Sequence, residues 1–220
     1  MKKIKTVFKI DRETGLATST VTPGAEWVIK GEGVATLKVD GSACMIKDGI
    51  LYKRYDRKLQ SQYMKKLRAL GAEFTVTPDM FNVLPADAIP CEEKPDPVTY
   101  HHPHWVAVKK DKPEDAFHIA AFEAAGGALE DGTYELIGPK VNNNPYKLDA
   151  CELVKHGHEV LNIPDRSLEG MKEFLSTLDG EGVVFKNDDG EFFKIRKKDA
   201  NFFWNCEDTR NLRDKEKMKK

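Results

Sequence analysis

At 220 residues the chain has room for one substantial domain, or for a domain with a small appendage. Its 40% hydrophobic and 32% charged residues are ordinary for a soluble globular protein, and no run approaches the roughly 20 apolar residues that a membrane span needs. A formal net charge of -1 does not by itself mark a nucleic-acid binder, so any affinity for phosphates must come from local clusters.

The N-terminus, MKKIKTVFKIDRE, starts basic, but Asp11, Arg12 and Glu13 arrive before an apolar h-region can form. A signal peptide is therefore not expected, and a cytoplasmic location, with the nucleus open, is the default. Residues 34–40 (VATLKVD) alternate, with Leu37 and Val39 on one face and Thr36, Lys38 and Asp40 on the other. Gly41 and the Lys47-Asp48-Gly49 turn punctuate this run before ILYKRY, which predicts two antiparallel strands joined by turns. Residues 59–70 suit a helix closed by Gly71. The stretch 78–105 carries Pro78, Pro85, Pro90, Pro95, Pro97 and Pro103 and reads as an excursion over the surface.

After Pro113, EDAFHIAAFEAAGG starts with acids and stops at glycines, as a helix does. Residues 133–137 (TYELI) and 151–154 (CELV) read as strands, and 167–178 (SLEGMKEFLSTL) as an amphipathic helix. GVVFK and EFFKIRK then flank Asn187-Asp188-Asp189-Gly190, a strong hairpin signal. Strands grouped in hairpins with helices between them predict an α+β fold of packed, mainly antiparallel sheets with flanking helices. From Lys194 to Lys220, ten Lys/Arg stand against five Asp/Glu, a basic end that either meets phosphates or is a solvated tail. Cys44, Cys91, Cys151 and Cys206 lie far apart without a CxxC pair, which favours reduced, mostly buried thiols.

Three clusters hold residue types suited to chemistry. In Lys38-Val39-Asp40-Gly41, strand alternation puts the lysine amine and the Asp40 carboxylate on one face. A lysine nucleophile must shed its proton, which burial or a nearby cation favours. The same tetrapeptide also occurs wherever a strand runs into a turn. The second cluster is Glu181-Gly182-Val183-Val184-Phe185 with Phe193-Lys194-Ile195-Arg196, where Lys194 and Arg196 share a face. A carboxylate at a strand start with two cations on a partner strand suits a metal-bound triphosphate, although a hairpin with a solvated charged face has the same pattern. The third is Thr133-Tyr134-Glu135-Leu136-Ile137-Gly138 with Asn142-Asn143-Asn144-Pro145-Tyr146, which can bring Glu135 to a ribose hydroxyl or a metal-bound water, or be only a strand and an Asn-rich turn.

KxDG, the basic strand Lys53-Arg54-Tyr55-Asp56-Arg57, YELIG, EGVVF and FKIR follow one another in a fixed order. That order resembles the covalent nucleotidyltransferase superfamily of ATP-dependent ligases and mRNA capping enzymes. More closely, KVDGSAC, YDRK, GTYELIG with NNNPY, and EGVVF with FKIR resemble the small vertebrate-type ATP-dependent 5′–3′ RNA ligases. The resemblance runs from about residue 27 to residue 198, with only loose landmarks such as Trp105 between 72 and 112. It implies a nucleotidyltransferase (ATP-grasp-like) fold, with residues 1–220 as a single adenylyltransferase domain and a basic tail from about residue 207.

By the same resemblance, Lys38 attacks the α-phosphate of ATP and becomes a lysyl-adenylate. AMP then passes to an RNA 5′-phosphate, and a 3′-hydroxyl displaces it. The implied partners are RNA ends, with no membrane and no obligate protein partner, and the implied cofactors are ATP and Mg²⁺ or Mn²⁺. Asp40 would support Lys38, while Arg54, helped by Arg57, would sit by the ribose or the phosphates. Glu135 and Glu181 match the family's carboxylates, with Glu181 the metal-associated one and Glu135 also a metal candidate. Lys194 matches the lysine closest to the α-phosphate. Arg196 takes the second basic position, where many relatives carry lysine, so charge is kept but not point-like geometry. His156, with Tyr146 as the alternative, is the candidate aromatic to stack on adenine, and Leu37 would offer backbone groups to the adenine edge.

Other signals weigh less. Tyr100-His101-His102-Pro103-His104-Trp105 with Cys91 can be drawn as a zinc site, but the spacing fits poorly and a surface loop is expected. Cys44 reads as a small packed residue, and Phe202, Phe203 and Trp204 as an anchor for the C-terminal segment. The competing functions are a DNA ligase or an mRNA guanylyltransferase of the same superfamily, which usually add a C-terminal OB barrel. About twenty residues after Asp199 are too few for that barrel. A non-catalytic nucleic-acid-binding module is the remaining alternative, and it has no need of an intact Lys38, Glu181 and Lys194.

Overall fold

A computed structural model describes residues 3–204, with Ala72 described by its backbone alone. Cys206 and the basic tail expected from about residue 207 lie outside the described residues. In chain order the first elements are β1 (Lys5–Thr6), β2 (Phe8–Ile10), β3 (Ala17–Val21), α1 (Glu26–Ile29) and β4 (Val34–Lys38). Then come β5 (Ser42–Lys47), β6 (Ile50–Arg57), α2 (Ser61–Leu70), β7 (Ile89–Pro90), β8 (His102–Ala107) and α3 (Ala116–Ala124). The last are β9 (Gly132–Ile137), β10 (Glu152–Lys155), β11 (Val160–Leu161), α4 (Leu168–Thr177), β12 (Gly182–Lys186) and β13 (Phe192–Arg196). The protein is thus mixed α/β with mainly antiparallel sheets, as the hairpin grouping predicted. Among the described residues no helix is long and apolar enough to cross a membrane.

The chain divides into two compact units, one of residues 3–42 and 134–204 and the other of residues 43–133. The first is organised by a five-stranded sheet in the order β1-β13-β12-β4-β11. Only the β1–β13 pair is parallel. Ala35, Val183, Phe185, Phe193 and Ile195 alternate onto one face, where α4 lays Leu168, Met171 and Leu175 against them. Val7, Phe8 and Val28 close the same core. Ser167 starts α4 by accepting the Gly170 N–H on its hydroxyl at 3.1 Å, which satisfies one of the orphan donors of the first turn. Burial of this apolar face leaves the opposite face of the sheet to polar side chains, and that face carries the site.

The second unit is built on the antiparallel strands β5, β6, β8 and β7. Asp48 and Gly49, both at positive φ (53° and 73°), make the tight turn between β5 and β6. Two expectations change here. The run before Gly41 and the run at ILYKRY are not a pair: β6 pairs with β5 and β8, and β4 instead pairs with β12 and β11. Residues 102–105 are not a surface loop either. They open β8, and Pro103, His104 and Trp105 are buried against β6. Without β8 one edge of β6 would stand unpaired, and burying Trp105 there outweighs the ladder hydrogen bond that Pro103 cannot donate.

Candidate active site

The register of the first unit's sheet assembles the site. Residues directly opposed on neighbouring strands share a face, so Lys38, Gly182 and Arg196 form one row and Thr36, Val184 and Lys194 the next. Lys38 is the last residue of β4, and Glu181 stands one residue before β12 begins. The Glu181 backbone oxygen accepts the Lys197 N–H at 2.8 Å, which extends the β12–β13 ladder to that position. The Lys38 ammonium donates to Glu181 Oε2, with the two side chains 21% and 18% exposed. The pair is thus mostly withdrawn from water but open on one side. Burial pushes the Glu181 carboxyl above its usual range, against the opposing pull of Lys38 and with a smaller push from Asp40.

Lys194 lies beside this pair. Burial, with the like charges of Arg196 and Lys38, brings its ammonium down to about 8, and Glu181 and Asp199 only partly oppose this. Arg196 is held in place by Asp199, which is 2% exposed. One Asp199 oxygen accepts Arg196 Nε at 3.0 Å and its backbone N–H at 2.9 Å, and the other accepts Nη2 at 2.8 Å. Two parallel bonds of this kind fix a guanidinium plane. Sequence reading did not find Asp199; its signal was an acid three residues after the arginine at the end of a strand.

The turn after Lys38 is tightly held. Asp40 is 8% exposed and accepts the Asn142 side-chain amide on Oδ1 at 2.7 Å. The same amide reaches the Gly41 carbonyl at 2.9 Å, and the Asp40 N–H donates to the Tyr146 hydroxyl at 2.8 Å. A Cβ on Gly41 would stand 2.2 Å from the Leu136 carbonyl oxygen and 2.7 Å from Glu135 Cγ, so only glycine fits there. Burial raises the Tyr146 hydroxyl to about 12, with Asp40, Glu181 and Glu135 adding to the effect, so the phenol stays neutral.

Glu135, on β9, is 8% exposed and bonds through Oε2 to His156 Nε2 at 2.7 Å. His156 follows β10, and the antiparallel β9–β10 pairing sets Val154 opposite Glu135. The two adenine-stacking candidates therefore have partners already: His156 holds Glu135, while Tyr146 holds Asp40 and packs its ring 5.6 Å from that of Trp204. Leu37 gives its backbone N–H to the Glu159 oxygen at 3.0 Å, so that donor is committed and is not open to a base edge. Its side chain lies against Gly180, where a Cβ would meet Leu37 Cδ1 at 2.4 Å.

The structure thus brings Lys38, Asp40, Glu135, His156, Glu181, Lys194 and Arg196 into one unit. Arg54 and Arg57 belong to the other unit, on β6. Arg54 Nε donates to Asp56 Oδ1 at 3.0 Å. Arg57 ties down the 78–82 segment, donating to the Asn82 and Pro78 oxygens at 2.8 and 3.3 Å over the Phe81 ring. Two of the histidines in the 100–105 run bond to backbone: His102 Nε2 to the Glu92 oxygen and His104 Nδ1 to the His102 oxygen, each at 2.8 Å. Phe202 packs on the core of the first unit, whereas Phe203 is half exposed and Trp204 lies under the Lys197 ammonium, 5.8 Å from its ring centre.

Among the described residues, no three His, Cys, Asp or Glu side chains converge as a complete metal-ligand set. Mg²⁺ does not require one, because it keeps several waters and takes one or two carboxylates together with substrate phosphates. Glu181 suits that role, since among the described residues only its Oε2 is engaged, by Lys38.

No protein-family model matches the chain. It is 28% identical to a Rattus norvegicus protein named RNA ligase 1, over 88% of this chain and 75% of that protein. A Pongo abelii protein of the same name is 29% identical with the same coverage, and one from Danio rerio is 26% identical. These likenesses span most of the chain.

Proposed function

We propose that the chain is an ATP-dependent RNA ligase of the covalent nucleotidyltransferase type, with Lys38 as the nucleophile. The observation that carries this reading is the Lys38–Glu181 pair, seated on the sheet face that also presents Lys194 and Arg196. The likeness to proteins named RNA ligase 1 gives the substrate class.

The Lys38 amine, once its proton has left to water, bonds to the α-phosphorus of ATP. The bond from that phosphorus to the bridging oxygen breaks, and pyrophosphate leaves. Lys194 and Arg196 offset the negative charge on the phosphate oxygens, and Asp199 keeps Arg196 from reorganising as that charge develops. Glu181 would hold Mg²⁺, with Glu135 as a further carboxylate, and that cation would supply charge that offsets the triphosphate. The lysyl-adenylate then passes AMP to an RNA 5′-phosphate. A 3′-hydroxyl attacks the activated phosphate, closes the strand and releases AMP. A covalent intermediate splits one hard displacement into easier ones.

Incubation with α-labelled ATP or GTP, followed by a denaturing gel and intact-mass analysis, tests the reading. Wild type should gain one AMP from ATP, Lys38→Ala should gain none, and adenylated protein should seal 5′-phosphorylated RNA. Label from GTP in place of ATP points to a guanylyltransferase. A preference for DNA ends points to a DNA ligase, and a wild-type chain with no adduct points to a nucleic-acid-binding module.

A further inference from the structure

The 138–147 loop has an unusual backbone. Lys140, Asn142, Asn143, Asn144 and Lys147 all sit at positive φ, at 63°, 45°, 61°, 51° and 54°. Three consecutive left-handed residues are costly for most side chains, and asparagine tolerates the conformation best after glycine. The loop is also cross-braced within itself, since Asn144 Nδ2 donates to the Leu148 oxygen at 2.8 Å and its Oδ1 accepts the Leu148 N–H at 3.0 Å. A segment so constrained holds its side chains in place for a reason, and two of them end on the turn that follows Lys38. Asn142 spans the Asp40 carboxylate and the Gly41 carbonyl, and Tyr146 receives the Asp40 N–H. None of these three bonds touches Lys38. Together they leave the backbone two residues beyond it little freedom to shift.

We propose that Asn142 and Tyr146 are positioning residues: they clasp Asp40 and Gly41 so that β4 ends with the Lys38 amine aimed along the sheet face at Glu181 and the bound phosphates. The proposal rests on the ligase reading above and assigns that site a residue pair which neither holds nor reacts with nucleotide. A loose clasp lets the Lys38 end of β4 wander, and misplacing a nucleophile by a fraction of an ångström slows attack without weakening nucleotide binding.

Asn142→Asp is the sharp variant, because aspartate keeps the shape and tolerates the left-handed backbone but has no N–H donors and sets a carboxylate against that of Asp40. Tyr146→Phe removes only the hydroxyl. Single-turnover adenylation of the full chain with α-labelled ATP should slow by about ten- to a hundredfold in Asn142→Asp, the span to which one hydrogen bond to a charged group converts. The ATP concentration for half-maximal rate should move by less than about threefold. Lowering the pH should narrow the gap between Asn142→Asp and wild type, because a carboxyl forced against Asp40 takes up a proton and becomes a donor again. In hydrogen exchange, the Asp40 amide should lose protection in Tyr146→Phe.

Wild-type rates in both variants, or a gap in Asn142→Asp that does not change with pH, overturns the proposal. An unchanged Asp40 amide in Tyr146→Phe does the same. A wild-type chain that forms no adduct overturns the ligase reading and with it the purpose assigned to the clasp, and the Asp40 amide then reports separately whether the clasp itself exists.

Discussion

Replacing Lys194 with methionine should make the protein more stable and less active at once. Methionine keeps the length of the aliphatic stem and removes the ammonium. Within the fold that ammonium is brought down to about 8 from the 10.5 of a free lysine, mainly because it is buried and faces Arg196 and Lys38. The drop from 10.5 to about 8, at roughly 1.36 kcal/mol per pH unit, gives an upper bound of about 3–4 kcal/mol for the cost of keeping the charge at neutral pH. Water at the open side of the site screens part of this, so about 1–2 kcal/mol is the expected gain in Lys194→Met. The sign of the pH dependence follows. Between pH 8 and 10.5 the unfolded chain holds a proton on Lys194 that the folded chain has lost, so wild-type stability gains a rising contribution across that window. The penalty is fully present below pH 8. Urea denaturation at pH 7, 8, 9 and 10 measures this, and the advantage of Lys194→Met should shrink steadily above pH 8. A variant less stable than wild type at pH 7, or an advantage independent of pH, refutes the reasoning. Adenylation by the variant should fall at least a hundredfold, because no cation then opposes the charge at the α-phosphate from that row.

Gly41→Ala should cost about 1–3 kcal/mol and abolish adduct formation, because the added methyl meets backbone of β9 that cannot give way; thermal unfolding and a labelling gel check both. Asp199→Asn should cost about 2–4 kcal/mol in urea denaturation, since it breaks a buried, doubly bonded pair and leaves the guanidinium without its counter-charge. A cost below about 0.5 kcal/mol would mean that Arg196 is held by something else. Glu181→Gln should leave the fold intact but shift the divalent-cation requirement of adenylation to at least tenfold higher concentration, measured by titrating Mg²⁺ into the labelling reaction. Equal cation dependence in variant and wild type removes Glu181 from that role.

Local pattern carried much of the architecture. The alternation of Phe193, Lys194, Ile195 and Arg196 gave both the strand and the shared face of its two cations, and Gly190 at positive φ makes the turn that the Asn187–Gly190 signal predicted. The short strands β1 and β2 had no such legibility, because two or three residues are too few for a periodic signal to rise above chance. The strand at 102–107 was hidden by its own proline, and only the open edge of β6 explains it. Within the site, Lys38 and Glu181 are 143 residues apart, and nothing in either neighbourhood points to the other. Only the order of motifs along the chain did so. Asn142 and Asp199 escaped because their importance lies in what they brace, and bracing partners are set by tertiary contact, which spacing in the sequence does not encode.

The pairing of β4 with β12, more than a hundred residues later in the chain, bears on how the protein is made. At about 5–20 residues per second, Glu181, 143 residues further along, leaves the ribosome roughly seven to thirty seconds after Lys38. Until then β4 waits with an unpaired edge, and the lysine has no carboxylate to meet. Lys38 and Glu181 therefore meet late in synthesis, and on the ligase reading a nascent chain interrupted before residue 181 lacks the carboxylate proposed to serve nucleotide activation.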